Sequence, residues 1–310
     1  MKFAFVFPGQ GSQSVGMMAG YGDEGVVRDT FAEASDALGY DLWDRVANGP
    51  AEALNQTVNT QPAMLAAGVA VYRLWLARGG APPALMAGHS LGEYTAVTCA
   101  GAIAFADAVG LVRLRAEAMQ AAVPEGVGAM AAVLGLDDAG VRAACAEAAQ
   151  DEVLEAVNFN SPGQVVIAGN KAAVERGMAQ ALGKGAKRVL PLPVSVPSHC
   201  ALMRPAAEKL RAALAAVEVR VPGVPVIHNA DVAAHTSPDA IRDALARQLY
   251  SPVRWVESMQ ALRSQGVRLI AECGPGKVLV GLNKRTLDDV PTLAIADAAS
   301  LADVLARTQA

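Results

Sequence analysis

Apolar residues occur in this chain in short blocks that follow two different periods. Lys2 to Phe7 is one such block, ended by Pro8-Gly9, and its length and aromatic content predict a buried strand. From Thr30 onward apolar positions recur at helical spacing, and Ala63 to Leu76 predicts another helix, stopped by Gly79-Gly80 and Pro82-Pro83. Ala84 to Ala87 predicts a second short strand, which runs straight into Gly88-His89-Ser90-Leu91-Gly92 and an apolar helical stretch. Strands alternating with helices predict an α/β fold whose sheet is mostly parallel and covered by helices. Ala96 to Val112 is the nearest approach to a membrane span, but Thr98, Gly101, Asp107 and Gly110 interrupt it, so it reads as two buried helix segments.

Further along, the rhythm changes. Val127 to Leu134 and Val153 to Asn158 read as strands on either side of a helix from Asp137 to Ala149. Gln164 to Ala168 and Lys187 to Val194 read as strands flanking a helix from Lys171 to Leu182, stopped by Gly183. The order β-α-β-β-α-β is the ferredoxin-like pattern. It predicts a small domain at 126–195 inserted into a discontinuous large domain formed by 1–125 and 196–310. A cleft between two such bodies is a common place for a ligand. Val224 to His228 and Val267 to Cys273 read as further strands, the second entering Gly274-Pro275-Gly276 and a helix.

Composition narrows the class. The chain has 310 residues, 53% hydrophobic and 18% charged, enough to bury a large core and too apolar for a disordered protein. Lys and Arg total 26 against 30 Asp and Glu, a net charge of -4 that provides no overall attraction for nucleic acid. Cys99, Cys145, Cys200 and Cys273 are far apart, with neither zinc-ligand nor disulfide-framework spacing, and read as reduced thiols. The apolar run at Phe3 is too short for the core of a signal peptide, so a cytoplasmic protein is expected.

The sharpest chemical signal is Gly88-His89-Ser90-Leu91-Gly92, a G-x-S-x-G elbow in the strand-turn-helix setting the motif requires. Such a turn exposes the Ser90 hydroxyl at a helix N-terminus, where the Leu91 amide faces the oxygen of a carbonyl under attack. A glycine-rich helix cap without chemistry is the plain alternative. The loop Gly9-Gln10-Gly11-Ser12-Gln13-Ser14 lacks the third glycine of a dinucleotide fingerprint and serves better as the source of a second oxyanion donor. Gly274-Pro275-Gly276-Lys277 lacks the residues of a phosphate-binding loop and reads as a strand-to-helix turn.

A nucleophilic serine needs a base, and the chain has four histidines, His89, His199, His228 and His235. His89 precedes the serine and is expected to point away from it, while His235 lies in a surface-like turn. His199 follows Pro197-Ser198 at the expected cleft; His228 ends a strand beside Asn229 and Asp231, where a merely hydrogen-bonded histidine is the simpler reading. Position favours His199. With Asp107 as a helix cap, the neighbours of Arg115 at helical spacing are Leu111, Val112, Ala118 and Met119, all apolar. Its guanidinium then needs an anion, either a ligand carboxylate or an internal Asp or Glu. Arg113, about 200° round the helix, is expected to pair with Glu117 on the surface.

Five motifs together resemble one family. Phe5-Val6-Phe7-Pro8-Gly9-Gln10-Gly11-Ser12-Gln13, Gly88-His89-Ser90-Leu91-Gly92-Glu93-Tyr94, Asn158-Phe159-Asn160-Ser161-Pro162-Gly163-Gln164, Val196-Pro197-Ser198-His199 and Gly274-Pro275-Gly276 are similar, in order and spacing, to the malonyl-CoA:acyl carrier protein transacylases of bacterial fatty acid synthesis. The resemblance implies a hydrolase-like large domain with a ferredoxin-like insert, and no cofactor or metal. It implies Ser90 as nucleophile, His199 as base, the N–H groups of Gln10 and Leu91 as oxyanion hole, Arg115 as clamp for the malonyl carboxylate, and the Gln248 carbonyl as the group orienting His199. Malonyl-CoA and acyl carrier protein are the implied partners, the latter a candidate to meet Lys184, Lys187 and Arg188 on the small domain. Ser198, before the histidine, leaves the choice between malonyl and methylmalonyl open, as does the motif set for the pathway served: fatty acid synthesis, a polyketide synthase or a malonate decarboxylase. A serine esterase or thioesterase and a non-catalytic carrier-docking protein are the rival readings, and Arg115 is the residue an ordinary esterase has no use for.

Overall fold

The computed structural model describes residues 1–194 and 196–309. Its larger sheet contains β1 (Phe3–Phe7) and β2 (Leu85–Gly88); its smaller one is made of β3 (Gly128–Leu134), β4 (Leu154–Ser161), β5 (Gln164–Asn170) and β6 (Arg188–Pro191). The larger sheet is completed by β7 (Val226–Ile227), β8 (Leu269–Cys273) and β9 (Thr292–Ile295), in the order β7-β2-β1-β8-β9, with every pairing parallel. This is the parallel, helix-covered sheet expected from the alternation of short apolar runs.

All five residues of β1 are buried, because helices cover both faces of a parallel sheet. The period of two sorts them: Phe3, Phe5 and Phe7 enter one core and Ala4 and Val6 the other. Phe5 meets Trp75 edge-on at 5.1 Å between ring centroids, which seats the sheet on the long helix Thr57–Ala77. That helix begins six residues before the predicted Ala63. Its first turns are polar yet buried, since the Asn59 amide donates to Ala53 O and the Thr60 hydroxyl to Leu54 O. Hydrophobic periodicity has no access to such a start.

The interrupted apolar stretch forms two helices, Leu91–Cys99 and Phe105–Ala122, as expected. Asp107 is not the cap of the second: the helix is preceded by Ala104, and Asp107 lies in its first turn, where a carboxylate favours the positive end of the dipole. Arg115 nevertheless lies on the buried face, 1% exposed.

The smaller sheet is antiparallel throughout, in the order β4-β5-β3-β6, with helices Asp138–Ala149 and Lys171–Gly183 packed on one face. This is the ferredoxin-like arrangement. Asp137 caps the first of these helices by accepting from Gly140 N at 2.7 Å. β4 runs to Ser161 rather than Asn158, with register shifts at Ala156/Asn158 and Phe159/Ser161. The strands expected at Val224 to His228 and Lys187 to Val194 shorten to Val226–Ile227 and Arg188–Pro191.

β4 is also bonded to the larger body: Phe159 N donates to Val253 O at 3.0 Å and Val253 N to Val157 O at 2.8 Å. Ser195, where the second crossing between the bodies was expected, lies outside the described residues.

Candidate active site

Three glycines shape the elbow by what their missing side chains allow. A Cβ on Gly88 would fall 1.9 Å from Gly92 C, one on Gly92 2.0 Å from Phe7 O, and one on Gly9 2.5 Å from His89 O. The ends of β1 and β2 and the start of helix Leu91–Cys99 therefore touch backbone to backbone. Between them Ser90 is held at φ 53°, ψ -110°, a conformation an L-residue occupies only when its surroundings impose it. They do so through hydrogen bonds. Ser90 N donates to Asn229 Oδ1 at 2.8 Å, and Asn229 Nδ2 donates to Gly88 O at 2.7 Å, so one side chain beyond β7 grips both sides of the turn.

Ser90 Oγ lies 2.7 Å from His199 Nε2. His199 Nδ1 lies 2.8 Å from the main-chain oxygen of Gln248, which only accepts, so Nδ1 carries the proton and Nε2 presents a lone pair to the serine. Burial first, then the Arg115 charge, pushes the imidazole down to about 3, so it stays neutral at ordinary pH. The other histidines are engaged elsewhere. His89 turns to Asn160 Oδ1 at 2.7 Å, His228 is buried against Glu93 Oε1 at 2.7 Å, and His235 pairs with Asp231 at 3.0 Å.

Arg115 approaches the same hydroxyl, Nη2 to Ser90 Oγ at 3.4 Å. Its other partners are neutral amides, Gln61 Oε1 at 2.8 Å and Gln248 Oε1 at 3.0 Å, while Nε is buried with no partner. Burial lowers its pKa, and among the described residues no carboxylate lies within ion-pair distance. A buried cation in contact with a cleft and lacking a counterion can accept an anionic ligand. Arg113 instead pairs with Glu117 at 3.0 Å on the surface.

The cleft itself has a volume of about 470 Å³ and is lined by residues of both bodies, among them Gln10, Ser90, Leu91, Arg115, Asn160, Ser198 and His199. Among the described residues, neither Gln10 N nor Leu91 N donates to a protein acceptor. Nor do those residues include three or more His, Cys, Asp or Glu side chains grouped to hold a metal ion. No helix among them is long and apolar enough to cross a membrane. Of the basic residues considered for docking, Lys184 is tied to Glu147 at 2.7 Å.

Gln61 carried no signal in the sequence; Glu93 and Asn160 stood inside quoted motifs and Asn229 beside the hydrogen-bonded reading of His228, but none of their partners could be read there. Each acts through contacts between residues 54 to 139 positions apart, which no local pattern announces.

A half-buried serine on a strained elbow, a neutral histidine against it and a buried cation beside it suit an acyl-transferring site on an α/β fold. The acyl transferase domain family matches residues 4–308, and the chain belongs to that family. Among its relatives, the malonyl CoA-acyl carrier protein transacylase of Escherichia coli K12 is 59% identical over 305 residues, covering 98% of this chain and 99% of the relative. That of Bacillus subtilis is 43% identical, covering 96% and 94%. A solved acyl carrier protein S-malonyltransferase from Vibrio cholerae superposes with a TM-score of 0.97 at 58% identity, covering 98% of this chain and 100% of that one. A malonyl-transacylase solved in complex with its type II polyketide acyl carrier protein gives 0.98 at 55% identity, covering 99% and 100%.

Proposed function

We propose that this chain transfers the malonyl group of malonyl-CoA to the phosphopantetheine thiol of an acyl carrier protein, through a malonyl ester on Ser90, supplying fatty acid synthesis in the cytoplasm. Ser90 Oγ attacks the thioester carbonyl while His199 Nε2 takes its proton. The tetrahedral oxyanion is stabilised by the N–H groups of Gln10 and Leu91, and each such donor contributes about 3 kcal/mol in comparable sites. Collapse breaks the carbon–sulfur bond, and the imidazolium returns the proton to the coenzyme A thiol. The carrier thiol then attacks the ester, its proton passing to His199, and Ser90 leaves with that proton. No step calls for a cofactor or a metal.

One observation carries the choice of acyl group: Arg115 is buried, 3.4 Å from the nucleophile, and bonded only to neutral groups. The malonyl chain is three carbons long, so its free carboxylate must find a cation close to the reacting carbon. The names of the close relatives support the same reading, and a simple esterase leaves this cation without a purpose. We assign 1–125 with 196–310 to the catalytic body and 126–195 to an inserted body that closes the cleft.

Intact-protein mass spectrometry tests the reading. Added malonyl-CoA is expected to leave a malonyl adduct on the wild-type chain and none on Ser90→Ala; wild type with no adduct under quenched, active conditions sinks the transferase. Since Ser198 lines the cleft, loading rates with malonyl-CoA and methylmalonyl-CoA measure how far a single methyl is excluded.

A further inference from the structure

Glu93 is fully buried three residues after the nucleophile, and none of the steps above uses it. Its carboxylate faces three donors. His228 Nδ1 lies 2.7 Å from Oε1, while Oε2 accepts from Asn229 N at 3.0 Å and from Gln248 Nε2 at 2.8 Å. Each of the last two leads to the site in one further step. Asn229 grips the elbow at Ser90 N and Gly88 O. Gln248 holds the Ser90 carbonyl through Nε2 at 2.8 Å, Arg115 through Oε1 at 3.0 Å, and His199 through its main-chain oxygen at 2.8 Å.

The Gln248 carboxamide has one permitted orientation. Its amino group faces Glu93 Oε2 and Ser90 O, which both accept, and its oxygen faces a guanidinium, which only donates. A flip would oppose like with like at all three contacts. Glu93 thus keeps a carbonyl oxygen turned towards Arg115. It also supplies a negative charge one carboxamide away from the buried cation without occupying it, and the interior is compensated while the guanidinium stays open to a ligand.

We propose that Glu93 is a positioning residue for acyl selection: acting through Gln248, it orients Arg115 and ties the anion receptor to the elbow and to His199. The inference rests on the malonyl-transfer reading and names a further residue on which that selectivity depends.

The test is the ratio of kcat/KM for Ser90 loading by malonyl-CoA to that by acetyl-CoA, whose acyl group has no carboxylate, followed by quenched mass spectrometry. Glu93→Ala is expected to cut malonyl loading about 10- to 100-fold and acetyl loading far less, so that the ratio falls about tenfold or more. Glu93→Gln retains an acceptor for Asn229 N and Gln248 Nε2 and is expected to recover part of the lost ratio. Gln248→Met removes the carboxamide but keeps the main-chain oxygen facing His199; it is expected to lower the ratio as Glu93→Ala does, and it carries the test if that variant does not fold. Equal losses for both esters in Glu93→Ala and Gln248→Met, or no loss, overturn the proposal, as does a Glu93→Gln ratio no better than that of Glu93→Ala. Wild type without a malonyl adduct would instead defeat the underlying reaction.

Discussion

His199 shows how one residue's surroundings set its chemistry. An imidazole in water is about half protonated near pH 6.5, and between pH 7 and pH 5 it would lose roughly 25-fold of its neutral form. Here burial and the Arg115 charge push it down to about 3, so the proposed base remains neutral across that range. Single-turnover malonylation of Ser90 at pH 5 is therefore expected within about twofold of its rate at pH 7, and an acid limb centred near 6.5 would contradict the assignment. Arg115 yields a second expectation. Arg115→Ala should lower malonyl loading by about 100-fold or more while sparing acetyl loading, because a charged hydrogen-bonded partner is lost for one acyl group only; an unchanged preference in the same quenched assay would strip Arg115 of its role. These residues were legible to different degrees. Ser90 stood out because its motif is local, and His199 because only four histidines competed. The amide partners of Arg115 were not legible, since Gln61 and Gln248 reach it from 54 and 133 positions away.

Whole elements were legible where side-chain period and chain punctuation agreed, as in β1 and β2 and the two β-α-β units of the smaller sheet. β9 escaped because its residues are mostly half-buried at the sheet edge and leave a weak apolar pattern. The elbow is the element whose sequence and packing are most tightly linked, and its glycines make that link measurable. Gly92→Ala places a methyl 2.0 Å from Phe7 O, a backbone atom that cannot swing aside without moving β1. The expected cost is about 3 kcal/mol or more in urea unfolding, at the upper end for overpacking. Gly110 is the matched control. It sits exposed inside helix Phe105–Ala122 with nothing within 4 Å of a built Cβ, so Gly110→Ala should stabilise the protein by about 0.5 to 1 kcal/mol through helix propensity alone. Opposite signs from the same substitution separate close backbone approach from mere tolerance of glycine.

At the scale of the whole molecule, the open question is whether the two sheets are independent folding units or one. The smaller sheet buries one face against its own two helices, which alone would let it fold separately. Its other face is covered differently: Met130, Ala132, Val157, Val166 and Ala168 pack with Cys200, which belongs to the segment carrying His199. Its edge strand exchanges two backbone hydrogen bonds with Val253, and the adjoining Arg285 side chain donates to Ser161 Oγ at 3.1 Å and Gln164 Oε1 at 2.7 Å. Loss of the larger body would therefore expose the second face of the smaller sheet and unpair its edge. Cooperative unfolding follows. All three tryptophans, Trp43, Trp75 and Trp255, lie outside residues 126–194, so their emission reports the larger body, while amide exchange of peptides from β3 to β6 reports the smaller. The two signals are expected to give the same midpoint within about 2 °C, as a two-state transition requires. Earlier exchange across β3 to β6, with tryptophan emission still native, would show that the smaller body opens on its own while the larger one, which holds both Ser90 and His199, stays folded.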